Sequence, residues 1–184
     1  MTDATAPPLV LAIVGTDHHQ FDRMTDWIDR WLATDPGDVR CIVQYGYSRS
    51  PRLAEGRARL TYQETQQLIA EAHAVVCHGG PATIMDCRRA RLTPFVMPRK
   101  HALGEHVDNH QVLFTRRVAE AGIIRLVDDE ATLQRALTEE IRKPRAATRL
   151  VELATDGSEA VRAVSQSISR LGPRKRLRGR RTPV

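Results

Sequence analysis

Val75-Val76-Cys77-His78-Gly79-Gly80-Pro81-Ala82-Thr83-Ile84-Met85-Asp86 is the stretch on which the architecture turns. A short apolar run closed by glycine reads as a buried strand. Proline suits the first position of a helix, where its missing N–H would have no partner in any case. Two adjacent glycines let the backbone come close to a ligand without a Cβ in the way. The helix that follows offers free N–H groups and a partial positive charge, which suits a phosphate. Thr83 adds a hydroxyl in the first turn. Asp86 lies three residues further, on the same face one turn deeper. A carboxylate there can accept hydrogen bonds from the vicinal hydroxyls of a ribose, as an acid does in dinucleotide folds. Phosphate above and ribose below describe a nucleotide. An ordinary strand–helix connection with a solvated Asp86 fits the same residues. The spacing is neither GxGxxG nor a P-loop.

Outward from this stretch, strands and helices alternate. Pro7–Gly15 reads as a buried strand. Phe21–Ala33 has apolar residues at 21, 24, 27, 28, 31 and 32, which is helical spacing. Val39–Gln44 is a second strand, Gly46–Gly56 a turn-rich loop, Arg57–Tyr62 a short strand and Gln63–Ala72 a helix. His73–Cys77 leads into the glycine turn, and Pro81–Ala90 is the helix after it. Thr93–Pro98 is a strand, Arg99–Gly104 a loop, Val107–Ala121 a helix ended by Gly122, and Ile123–Val127 a strand. Helices over about Glu130 to Ile141 and about Ala147 to Ser169 complete the pattern. This predicts an α/β fold, a parallel sheet with helices on both faces. Ligands in such sheets bind at the carboxyl ends of the strands.

Three loops meet that condition: His78–Pro81, Gly15–Gln20 and Arg99–Gln111. The second holds Gly15, Thr16, Asp17, His18 and His19, and by itself Thr16 or Asp17 is an N-cap. The third ends in Glu105, His106, Asp108, Asn109, His110 and Gln111 at the start of a helix. His106 and His110 are four apart with Glu105 and Asp108 beside them, so a metal has to be weighed. No third fixed ligand is evident, and hydrogen bonding to a ligand or a solvated helix start suits these residues better.

Bulk properties narrow the class. The 184 residues suit one domain with or without a tail, and 41% hydrophobic residues suffice for one core. Aromatics are only 4%, so that core is aliphatic. No apolar run approaches the roughly 20 residues of a membrane span, and Leu9–Gly15 lacks the flanks of a signal peptide. A cytoplasmic protein is expected. Cys41, Cys77 and Cys87 form no CxxC and read as buried free thiols. The net charge of +6 is concentrated at the end, where Arg170–Arg181 carries seven basic residues and no acid. The near-neutral remainder argues against a specific nucleic-acid face, and the tail reads as a flexible tether. Residues 8–169 are therefore expected to form the domain and 170–184 the tail.

Together the three loops resemble the C-terminal domain of family 28 glycosyltransferases. The matching residues are Val14-Gly15-Thr16 with Phe21-Asp22-Arg23, His78-Gly79-Gly80 with Thr83 and Asp86, and Pro98-Arg99-Lys100 with Gly104–Gln111. They resemble most the single-domain forms, which are the small subunit of bacterial exopolysaccharide glycosyltransferases and the catalytic subunit of the dolichol-linked N-acetylglucosaminyltransferase. The resemblance covers about Val10 to Leu137. It implies a Rossmann-like GT-B half that binds a UDP-sugar. The loop at Gly15 and Thr16 and the His78–Gly80 helix would face the diphosphate. Asp86 would face the ribose, and the block Glu105, His106, Asp108, Asn109, His110 and Gln111 the ribose or the sugar. Asp86 and Ala82 depart from the family's usual Glu and Gly or Ser, and the shorter carboxylate reaches about one methylene less far. The Arg99–His101 stretch fits the family's basic loop. The resemblance also implies a missing acceptor half, expected from a membrane-associated subunit that would hold the chain at the inner face of the membrane. His18 or His19 could act at the cleft. No cofactor and no tightly bound metal are expected, since backbone N–H groups and a helix dipole can stabilise a leaving diphosphate. Readings left beside this one are a non-catalytic nucleotide-sugar-binding module, a nucleic-acid-binding protein acting through its tail, and a nicotinamide dehydrogenase.

Overall fold

The apolar run at the start of the chain and the run before His78 become the two central strands of the sheet. The computed structural model describes residues 6–148. The expected helix over 147–169 and the basic tail at 170–184 therefore lie almost wholly outside the described residues. Six strands form one sheet: β1 (Leu9–Ile13), β2 (Arg40–Gln44), β3 (Glu55–Arg57), β4 (Ala74–Cys77), β5 (Phe95–Val96) and β6 (Arg125–Leu126). Their order is β3-β2-β1-β4-β5-β6, and every pair is parallel. Five α-helices connect or follow them: α1 (Asp22–Leu32), α2 (Tyr62–Glu71), α3 (Pro81–Arg89), α4 (His110–Glu120) and α5 (Glu130–Ile141).

The strand side chains alternate between two cores, as a sheet covered on both sides requires. Leu9, Leu11 and Ile13 of β1 pack with Val75 and Cys77 of β4 under α2, α3 and α4, through Ile69, Ile84 and Phe114 among others. Val10 and Ala12 pack with Val76 under α1 and α5, through Met24, Ile28, Trp31, Leu133 and Leu137. This is the Rossmann-like α/β architecture. Cys41, Cys77 and Cys87 are buried in these cores and form no disulfide, and burial pushes the Cys41 thiol up to about 12.

Several elements depart from expectation. The third strand is Glu55–Arg57 rather than Arg57–Tyr62, pairing Ile42 with Glu55 and Gln44 with Arg57. It is a polar edge strand with no apolar alternation to mark it. The helix expected from Val107 begins only at His110. Glu105 is drawn into the protein instead of starting a helix face, and a short 3-10 turn at His101–Leu103 ends at Gly104 with φ +69°. The strand expected at Thr93–Pro98 shortens to two residues between Pro94 and Pro98, neither of which can donate to a ladder.

Ile13 lies beside Cys77 in register, so the loops after β1 and β4 leave the sheet side by side. The chain winds one way from β1 to β3 and the other from β4 to β6. The crevice at that reversal is where such sheets bind ligands.

Candidate functional site at the carboxyl ends of the strands

His78 occupies the gap between the two central loops. Its Nδ1 is sealed from solvent with no partner. Gly15, at φ +94°, passes so close that a Cβ there would lie 2.7 Å from His78 Nε2. A Cβ on Gly80 would overlap the ring, and one on Gly79 would come within 2.8 Å of Thr115 on α4. Each glycine thus makes room for another part of the protein. Burial, then the nearby Arg99 charge, pulls the His78 pKa down to about 4, so the ring is neutral at pH 7. Gln44 at the end of β2 fixes the first loop by donating to Gly15 O at 3.2 Å and accepting from Gly15 N at 3.0 Å.

Beyond Gly80, α3 starts with Pro81 and with no side-chain cap. The N–H groups of Ala82 and Thr83 thus face the crevice end of the helix, a setting for an anion. Asp86 is one turn in, and its carboxylate accepts from exposed Arg89 at 2.8 Å.

The third loop folds against the first. His106 Nε2 lies 3.5 Å from Asp17 Oδ2, and the rings of His19 and His106 stack with centroids 5.9 Å apart. Asp17 accepts from His19 N at 2.8 Å and from His19 Nδ1 at 2.6 Å. Burial would raise the Asp17 pKa, but the His19 donors and the Arg99 charge hold it at about 2. The His106 pKa is lowered by burial and then by neighbouring His110. Asp108 accepts from His110 N at 3.0 Å and pairs with the His110 ring. His18 stands out in solvent, its side chain 77% exposed. A hollow of about 780 Å³ opens beside these loops, between α1 and the third loop, lined by His18, His19, Trp27, Tyr47 and Leu103 among others.

Residues 10–167 match the glycosyltransferase family 28 C-terminal domain. The chain belongs to this family. No curated protein matches the sequence. Among solved structures, the chain is similar to the glycotransferase of kitacinnamycin (19% identity, TM-score 0.55, covering 91% of this chain and 41% of that one). It is also similar to MurG of Acinetobacter baumannii (16%, 0.54, 92% and 50%). A third is the glycosyltransferase VinC in complex with dTDP (15%, 0.50, 91% and 39%). These likenesses show the fold, that of one half of a GT-B glycosyltransferase. The chain spans half or less of the length of each of these three proteins.

In this family 28 domain, the residues singled out in the sequence divide into two groups. Gly15, Thr16, His18, His19, His78, Gly80, Thr83, Asp86, His106, Asp108 and His110 belong to the loops and helix starts of the β1/β4 crevice, His18 with its side chain turned to solvent. Glu105, Asn109, Gln111 and Gly79 are turned to structural use. Glu105 is buried and accepts two bonds from Arg23 at 2.7 Å and one from Lys100 N at 2.8 Å. Asn109 accepts from His101 N, and buried Gln111 accepts from Arg99 N. Asp17 does not cap α1, which begins five residues later, but caps its own turn. Among the described residues, two side-chain groups each bring three candidate metal-ligand atoms together, Asp17 with His18 and His19, and His106 with Asp108 and His110. The sequence did not mark Gln44 for the site, and it gave Arg23 and Arg99 only as parts of matching blocks with no role of their own; all three are polar side chains that hold loops together.

Proposed function

We propose that the chain is the nucleotide-sugar-binding, catalytic subunit of a split glycosyltransferase. It takes a UDP-sugar and passes a hexose-type sugar to a lipid-linked or polysaccharide acceptor held by a membrane-associated partner. The observation that carries this reading is the meeting of the three loops at the β1/β4 crevice, over the uncapped start of α3. Charge builds up on the diphosphate as the sugar departs, and fixed N–H dipoles at a helix start stabilise such charge. A neutral His78 adds no charge of its own there and leaves that work to the dipoles. Asp86 offers a carboxylate for the ribose, and His106, Asp108 and His110 line the side on which the sugar would lie. Family membership and the dTDP complex of VinC support a nucleoside diphosphate as the shared ligand chemistry.

Calorimetry with UDP tests the donor site. Wild type is expected to bind, and Asp86→Ala to bind about 1–3 kcal/mol more weakly, as for loss of bonds to a charged acceptor. Unchanged affinity in a folded Asp86→Ala protein removes the ribose assignment. The purified chain alone is expected to show little transfer to a lipid-linked acceptor, and enzyme-like turnover without a partner would contradict the split. No helix of the described residues is long and apolar enough to cross a membrane. In this reading, attachment at the inner face of the membrane falls to the partner and to the basic residues of Arg170–Arg181. Each of these contributes on the order of 1 kcal/mol near anionic lipid. Truncation after Ser169 is expected to abolish salt-sensitive sedimentation with anionic vesicles and to preserve UDP binding.

A further inference from the structure

Arg99 is the one charged residue among the described residues with no exposed surface at all. Burying a guanidinium is costly unless its donors are met. Here the two terminal nitrogens are met by backbone carbonyls of separate segments, while Nε is buried without a partner. Nη1 donates to His19 O at 2.6 Å and to Glu105 O at 2.9 Å. Nη2 donates to Val14 O at 2.9 Å. The guanidinium carbon lies 5.0 Å from the centroid of the Phe21 ring. The end of β1, the loop before α1 and the loop before α4 are therefore joined at one side chain. Arg23 closes the same knot from outside by binding Glu105 and Pro98 O, at 2.9 Å for the latter.

These carbonyls are the backbone from which Asp17, His19 and His106 project. Only a planar fork with several fixed donors reaches three carbonyls in different directions, and a lysine ammonium on a flexible stem does not. We propose that Arg99 is the positioning residue of the donor site, holding the first and third loops in their ligand-binding arrangement before any nucleotide arrives. The inference rests on the reading of that crevice as a donor site. It adds which residue assembles it, and that assembly precedes binding. Arg99 touches no substrate and acts through the loops it joins.

Arg99→Lys keeps the charge and removes the fork. Its UDP dissociation constant is expected to rise about tenfold or more, because displaced contacts lose much of their worth. Trp31→Phe serves as the stability control. It removes the bond from Trp31 Nε1 to Thr138 in the core under α1 and α5 and leaves the crevice untouched. That control is expected to lower the melting temperature and leave UDP affinity unchanged. Were Arg99→Lys to lose stability like the control and keep wild-type UDP affinity, Arg99 would be a core residue only and the proposal would fall. Hydrogen exchange on the wild type gives an arm that needs no variant. Amides of residues 15–20 and 99–106 are expected to be protected in the nucleotide-free protein. Protection that appears only with UDP would overturn preassembly. If wild type binds neither UDP nor dTDP, the donor reading fails. Loss of that same protection in Arg99→Lys would then still confirm the loop-holding role, and its persistence would overturn it.

Discussion

The helices at the middle of the sheet and those at its edges begin differently. The edge helices are sealed. α2 has a full capping box, with Thr61 Oγ1 accepting from Glu64 N at 3.2 Å and Glu64 accepting from Thr61 N at 2.7 Å. In α5, Asp129 accepts from Thr132 N at 2.8 Å. The three helices that follow β1, β4 and β5 have no side-chain bond from their N-cap residue. Every helix start carries orphan N–H groups that need partners. At the edges the protein supplies those partners itself. At the centre, α3 is left open to the crevice, and α4 loses only the His110 N–H, to Asp108. The contrast separates helix starts closed by their own side chains from helix starts without such a cap, one of which the proposed donor site uses.

Four changes break or sharpen this contrast. The largest effect is expected from Gly15→Ala, which forces a side chain to φ +94° and drives a Cβ against His78. A loss of about 2–4 kcal/mol is expected in urea unfolding, together with weaker UDP binding. Next is the response to acid. The folded His78 pKa of about 4 lies below its ordinary 6.5, so between those values the unfolded chain binds the proton the folded one refuses. Stability is then complete above about 6.5 and falls as the pH drops toward 4, by on the order of 3 kcal/mol. His106 is shifted in the same direction and adds to the slope. The slope is expected to flatten in His78→Gln, and an unaltered slope would place the titration elsewhere. Thr61→Ala opens an edge helix start and should cost about 1 kcal/mol of stability. UDP affinity should not change, since that start faces no ligand. The smallest effect, none, is expected from EDTA on UDP affinity, although Asp17–His19 and His106–His110 each gather metal-ligand atoms. Affinity that collapses with EDTA and returns with zinc would make those groups part of the donor site.

The central half of the fold was legible in the sequence because burial on both faces leaves a continuous apolar run. Leu9–Val14 and Ala74–Cys77 could hardly be anything but inner strands, and the glycine turn at 78–80 marked the crevice. What was hidden depended on partners distant in the chain. β3 is held by pairing to β2 and by no pattern of its own. The late start of α4 follows from Glu105 meeting Arg23, 82 residues earlier. Arg99 sits between a proline and a lysine, where the residue type suggests surface charge, and its burial depends on carbonyls up to 85 residues away. Asp17 looked like the cap of α1 because it precedes a helical pattern, yet its carboxylate is satisfied within two residues.

The two outer strands carry a consequence for assembly. A bare strand edge invites other chains to add on by backbone pairing, and short, charged edges discourage it. β3 has three residues and holds Glu55 between Arg57, at 2.6 Å, and Arg40 of β2, at 3.4 Å. β6 has two, with Arg125 bound to Glu140 at 2.7 Å. Both margins are thus guarded by guanidinium–carboxylate pairs against fibrous or swapped aggregates. For the partner subunit proposed above, backbone pairing at either of these described margins is thus disfavoured.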